Sequence, residues 1–211
     1  MSFKNTFIPD FSKAIPCDFF KKKTEAVAQK LLGQILVRQL PTGEWLAARI
    51  VETEAYLPQD DLSNHAAIGR TKRNNAMWHD GGITYVYKIY GVHYCFNIVT
   101  ELENLGCAVL IRAAEPIAGI EIMQELRGTD DVRNLLKGPG NFARAFGFTS
   151  EDTFKSCCEP ELFIQKDKAL PVQEIAATPR IGISKSVELP LRYIIRGNPF
   201  VSGKKSINTG F

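Results

Sequence analysis

The sequence has no C-x-x-C pair among its five cysteines, Cys17, Cys95, Cys107, Cys157 and Cys158. An odd set with that spacing fits neither a disulfide framework nor a zinc site, so reduced and mostly buried thiols are expected. The three histidines, His65, His79 and His93, are too scattered to frame a metal site, and no metal or other cofactor is expected. No apolar run approaches the roughly 20 residues that span a bilayer, and the charged stretch Lys21–Lys23 does not fit a signal peptide. These absences point away from membranes and toward a soluble, cytoplasmic protein. Neither an internal repeat nor a low-complexity tract is visible, and 45% hydrophobic with 23% charged residues excludes a disordered or collagen-like chain.

What is present is an ordinary globular composition over 211 residues, enough for one compact domain, expected as a monomer. The formal net charge of +3 says little alone, but its distribution is uneven. Arg180, Lys185, Arg192, Arg196, Lys204 and Lys205 face only Glu188 in the last stretch, whereas 101–175 is net acidic. A face that meets nucleic acid phosphate and a solvated basic tail both fit that pattern. Periodicity predicts helices over 18–32, 116–127 and 141–146, and strands over 34–39, 44–57, 83–89, 92–99, 108–113, 162–165, 180–183 and 192–196. The strands cluster and adjoin through tight turns, which predicts an α+β fold on a mostly antiparallel sheet. Residues 58–78 carry little periodicity; a loop that long is expected to be functional or partly helical.

Val51-Glu52-Thr53-Glu54-Ala55-Tyr56 places two carboxylates and an aromatic on one face of an expected strand, because side chains two apart share a side of the pleat. From that segment alone two readings stay open: a solvated face with a salt-bridged pair, or a general base beside a stacking ring. Tyr90-Gly91 falls at an expected hairpin tip, where small polar residues are usual. An exposed tyrosine there has the size and stiffness of the wedges that unstack base steps. Tyr85 and Tyr87 share a face of the leading strand, as stacking surface for bases or as ordinary sheet packing. Lys88 points the other way and reads as solvated, and no lysine sits in a nucleophile motif, which favours direct hydrolysis over a Schiff-base route.

In order, VETEAY, Asp60-Asp61 with Ser63-Asn64-His65, Arg73-Asn74, TYVYKIYGVHYCFN, VLIRAAEP, KGPG and LRYIIRGNPFVS resemble the signature blocks of the alkyladenine (3-methyladenine) DNA glycosylase family across residues 18–202. The resemblance implies a curved sheet with flanking helices and a protruding β-hairpin. It implies base excision repair by a monofunctional glycosylase without lyase activity, acting on double-stranded DNA that contains alkylated or deaminated purines. Such an enzyme extrudes the base and hydrolyses its glycosidic bond. By the same resemblance Glu54, not Glu52, activates the water, Arg112 helps to hold it and the Ile181 carbonyl contacts it. Tyr56 and Tyr87 line the pocket in which the base stacks, His65 reads its edge, and Asn97 crowds the exocyclic amino group of ordinary guanine. Tyr90 fills the gap left in the duplex, and Arg73 and Asn74 meet the DNA backbone. Thr71-Lys72-Arg73-Asn74 departs from the Thr-Pro-Arg-Asn common in the family, and Lys204 and Lys205 match no signature position.

Two rivals remain. A sugar hydrolase could use Glu52 and Glu54 as acid and base, and a non-catalytic nucleic-acid-binding module could use the same tyrosines and cations. Glu54 separates the second rival from an enzyme, because a pure binder gains nothing from an acid facing phosphate.

Overall fold

The computed structural model describes residues 7–203. Among them nine strands form one curled, antiparallel half-barrel sheet accompanied by three α-helices, the α+β class expected. The strands are β1 (Ile35–Gln39), β2 (Trp45–Tyr56), β3 (Thr84–Ile89), β4 (His93–Thr100), β5 (Cys107–Ala118), β6 (Cys158–Glu159), β7 (Leu162–Gln165), β8 (Ile175–Thr178) and β9 (Arg192–Ile195). The helices are α1 (Thr24–Leu31), α2 (Ile120–Arg127) and α3 (Pro139–Ala145). The main path runs β3-β4-β5-β2-β1-β7-β6, and β9 joins β2 to β8.

β2 organises the molecule. Its first half pairs with β1, residues 52–54 pair with β9, and β5 follows its other edge throughout. Where the partner changes, the β2–β5 register shifts on both sides of Glu52 and skips Val51 and Arg112. Such bulges re-aim side chains, and this one sits between two acids and an arginine.

The main core lies between the sheet and the helices. Thr24, Val27, Ala28 and Leu31 form the buried stripe of α1 at spacings of three and four. Pro139 starts α3, where its missing N–H costs no helix bond. Phe142 of α3 and Phe146 at its C-terminal cap join Phe148 and Phe96, and the last two rings stack at 4.1 Å. Each such side chain contributes about 1.5–3 kcal/mol through burial. A smaller cluster of Ala66, Ala76, Met77, Tyr85, Val99 and Ala108 sits beneath residues 58–78. That segment is partly helical, with 3-10 turns at His65–Ile68 and Asn75–Trp78.

Four sequence expectations need correction. Residues 116–118 continue β5 instead of opening a helix, because Ala47 and Ala48 still offer the strand a backbone partner. The corner comes at Gly119, whose φ of +72° and close approach to the Trp45 carbonyl exclude a Cβ. The first helix begins at Thr24, after a 3-10 turn at Cys17–Phe19. Residues 180–183 are not a strand; β8 lies earlier, and the Ile181 N–H donates to a carboxylate instead of a ladder. Cys17 and Cys158 form a disulfide across a sequence separation of 141, so only Cys95, Cys107 and Cys157 are the buried free thiols expected of all five. No helix among the described residues is long and apolar enough to cross a membrane.

Candidate active site

Glu52 and Glu54 share a side of β2, as the pleat requires, but both are 0% exposed. The solvated-face reading therefore fails. Glu52 Oε1 accepts from Arg192 Nε at 2.6 Å and from Ser202 Oγ at 3.0 Å, and Oε2 accepts from Ser202 N at 2.7 Å. Arg112 Nε lies 3.2 Å from the same Oε1. Glu54 has lighter company: Ile181 N donates to its Oε1 at 3.0 Å, Tyr56 Oη to its Oε2 at 3.0 Å, and Arg112 Nη1 stands 3.4 Å away. Arg112 Nη1 also donates to the Ile181 carbonyl at 3.3 Å. Burial pushes the Glu54 carboxyl above the ordinary glutamate value; Arg112 and the Ile181 amide oppose that push, and Glu52 adds to it.

In front of Glu54 opens a cavity of about 320 Å³, within the range of small-molecule sites. Glu54 does not line it, but Tyr56, Arg112 and Ile181, the three residues that touch its carboxylate, all do. Tyr87, His65 and Asn97 complete the expected set on the cavity wall, and Tyr90 stands at the same cavity. Every base-pocket residue expected from the sequence is thus gathered in one place. Burial raises the Tyr56 and Tyr87 phenols well above the usual tyrosine range, so both rings stay neutral. Arg180 covers Tyr56, its guanidinium 4.7 Å from the ring centroid. Asn97 Nδ2 donates to the Tyr85 carbonyl at 2.9 Å, which fixes its amide plane. His65 packs edge-on against Tyr87 at 4.5 Å, and its Nδ1 pairs with Tyr85 Oη at 2.9 Å. Burial, then the nearby Arg73 charge, lowers the His65 pKa, so the ring is neutral at pH 7.

The β3–β4 connection puts Tyr90 82% exposed, with φ +51° followed by Gly91 at +69°, and Val92 N donates to the Ile89 carbonyl. Arg73 is exposed, donates to the Lys88 carbonyl at 3.1 Å and lies over the Tyr87 ring. Asn74, grouped with Arg73 on the sequence, is buried. Its Nδ2 donates to the His65 and Gly69 carbonyls, and its Oδ1 accepts from Thr71 N and Trp78 Nε1. That satisfies the amide in full and leaves no group for a phosphate; Asn74 shapes the loop that carries Arg73 and His65.

The basic end also resolves differently. Arg192 is bound to Glu52, and Arg180 makes a two-pronged pair with Asp61 at 2.6 and 2.7 Å. Neither cation faces solvent. Lys204 and Lys205 lie outside the described residues. Sequence reading missed Glu52, Asp61, Arg180, Arg192 and Ser202 as parts of the site. An arginine inside the apolar run Leu191–Ile195 was a usable sign, because a buried strand cation needs an acid nearby.

Residues 18–199 match the methylpurine-DNA glycosylase family. A relative in Chlorobaculum parvum, provisionally named 3-methyladenine DNA glycosylase, is 44% identical over 190 residues, 90% of this chain and 91% of that protein. One of the same provisional name in Methanoculleus marisnigri is 41% identical over 191 residues, 89% of this chain and 98% of that protein.

Proposed function

The chain belongs to the methylpurine-DNA glycosylase family, and from that premise we propose that it is a monofunctional DNA glycosylase of base excision repair. Its substrate is a damaged purine in double-stranded DNA, extruded into the cavity and cut from its deoxyribose. The observation that carries this reading is Glu54, sealed behind an aromatic cavity by the Ile181 amide, the Tyr56 hydroxyl and Arg112.

In this reading Tyr90 enters the duplex and occupies the place of the extruded nucleotide, whose unstacking costs a few kcal/mol. Tyr56 and Tyr87 stack on the base, each stack contributing about 1–3 kcal/mol. A purine alkylated at N3 or N7 is cationic, which strengthens stacking on neutral phenol rings and improves the leaving group. Water reaches the Glu54 carboxylate between Tyr56, Arg112 and Ile181. Glu54 takes a proton from it, the new oxygen–C1′ bond forms, and the purine departs with the electrons of the glycosidic bond. The carboxylate also stabilises the positive charge that develops on the sugar. Arg112 and the Ile181 carbonyl orient the water, His65 reads the base edge, and Asn97 crowds the amino group of normal guanine. Glu52 is buried against two arginines and Ser202 and is not on the cavity wall, which disfavours a two-carboxylate sugar hydrolase.

The test is single-turnover base release from duplexes carrying 7-methylguanine, hypoxanthine or ethenoadenine. Glu54→Gln should lose on the order of 10²–10⁴ in rate, the span of general-base contributions, while lesion binding persists. Release at the wild-type rate would remove Glu54 from the mechanism. Strand nicking without alkali, or a covalent adduct trapped by borohydride, would reject the monofunctional assignment.

A further inference from the structure

We propose that Glu52 is a positioning residue that shares Arg112 with Glu54 and so keeps Glu54 a proton acceptor. The proposal rests on the reading of Glu54 as the base. Three hydrogen bonds reach Glu52, from Arg192 Nε and Ser202 Oγ to Oε1 and from Ser202 N to Oε2, and Arg112 Nε, which donates to Ser202 Oγ, stands 3.2 Å from Oε1. These contacts engage both oxygens of Glu52 and bring two guanidiniums to its Oε1. Glu54 receives a backbone amide, a phenol and a guanidinium contact stretched to 3.4 Å. A carboxylate claimed fully by cations binds protons weakly and makes a poor general base. The skipped register position on β5 puts Arg112 where one end of its guanidinium meets each acid. Arg192 supplies the second positive charge on Glu52, so two carboxylates and two guanidiniums balance without Arg112 turning wholly to Glu54.

The groups around Glu54 are known from every element packed on it. Glu52 and Tyr56 come from β2, Arg112 from β5, Tyr87 from β3, Cys95 from β4 and Arg192 from β9, whose ladder position is opposite Glu54, and Arg180 approaches from the segment after β8. Glu52 is the acidic neighbour, and its loss acts in one direction. It removes a like charge beside Glu54 and releases Arg112 toward it, and both changes favour the ionised carboxylate.

The experiment is the pH profile of single-turnover excision for the wild type, Glu52→Gln and Glu54→Gln. In Glu52→Gln the acid limb should move to lower pH by about one unit, a tenfold fall in proton affinity, and the plateau rate should fall with it. Because Glu52→Gln takes a carboxylate from beside Arg192, Glu52→Gln/Arg192→Gln removes one charge of each sign and should show the same displacement. A rate loss with the limb unmoved in a folded variant overturns the proposal in favour of a purely structural brace, as does failure of both variants to fold. Should Glu54→Gln itself remain active, the assignment of the base has failed instead, and the two failures are told apart.

Discussion

A carboxyl group sealed from solvent and raised in pKa holds its proton more tightly folded than unfolded. For Glu54 the folded chain therefore keeps a proton that the unfolded chain has released at pH values above 4.5. Its contribution to stability is complete below that value and is lost as pH rises through the higher folded value. In the proposed mechanism Glu54 works as a buried carboxylate whose ionisation burial opposes, so Glu54→Gln should unfold at a higher temperature than the wild type at pH 7–8. The gain should vanish toward pH 4, and a Tm for Glu54→Gln below wild type at pH 8 would refute the account. His65 runs the other way. Burial and Arg73 lower its pKa, so the unfolded chain takes up a proton near 6.5 before the folded chain does, and stability falls as pH drops through that value. Its ring resonances should titrate below 6.5 in the free protein; a midpoint at or above 6.5 would contradict the neutral, Tyr85-bonded ring.

The β3–β4 turn shows the same tension in an element. Tyr90 is a bulky residue in left-handed backbone, a conformation costing roughly 1–2 kcal/mol for most side chains and less for asparagine. Tyr90→Asn should therefore keep or raise the Tm while excision from duplexes falls, with the smallest loss for mispaired lesions, whose extrusion is easier. Unfolding of that variant would make Tyr90 a packing residue. The segment after β8 and the one after β2 are joined by Arg180–Asp61, buried at both ends, and the first segment presents the Ile181 amide to Glu54. Asp61→Asn strands a buried guanidinium and should cost about 3–5 kcal/mol, read in denaturant unfolding. Alternation made much of this legible: β2, β3 and β4 lie within a residue or so of their expected limits, and Glu54 and Tyr56 share the expected side. Length and composition could not show the bulge at Val51 and Arg112, because it arises where β9 replaces β1 as the partner of β2, a contact between distant segments. The Cys17–Cys158 bond was hidden for the same reason.

Across the whole molecule, charge seen in the sequence and charge available at the surface differ. The C-terminal excess of cations fitted either a phosphate-meeting face or a solvated tail, but folding places Arg180 against Asp61 and Arg192 against Glu52, where they hold the site together. Acids far upstream supply the partners, so counting local charge could not anticipate the pairing. Of that C-terminal set Lys185 stays exposed, two residues after Ile183 of the cavity wall, and other surface cations lie on earlier segments. Arg70, Lys72 and Arg73 are exposed on the loop that carries His65, and Lys88 is exposed on the strand that carries Tyr87. Lys88 lies two residues before Tyr90, Arg73 donates to the Lys88 carbonyl, and Arg70 and Lys72 adjoin Arg73 in sequence. If Tyr90 enters the duplex as proposed, these residues are expected to meet phosphates, and each phosphate neutralised releases condensed counterions. The logarithm of the DNA association constant should fall linearly with the logarithm of salt concentration, by about 0.9 for each phosphate contact. Lys72→Gln/Lys88→Gln should therefore flatten the slope by about two, with base release at saturating enzyme little changed. Arg192 should add nothing to the slope because its charge is matched inside the protein. An unchanged slope in the lysine double variant would move the phosphate track off this face.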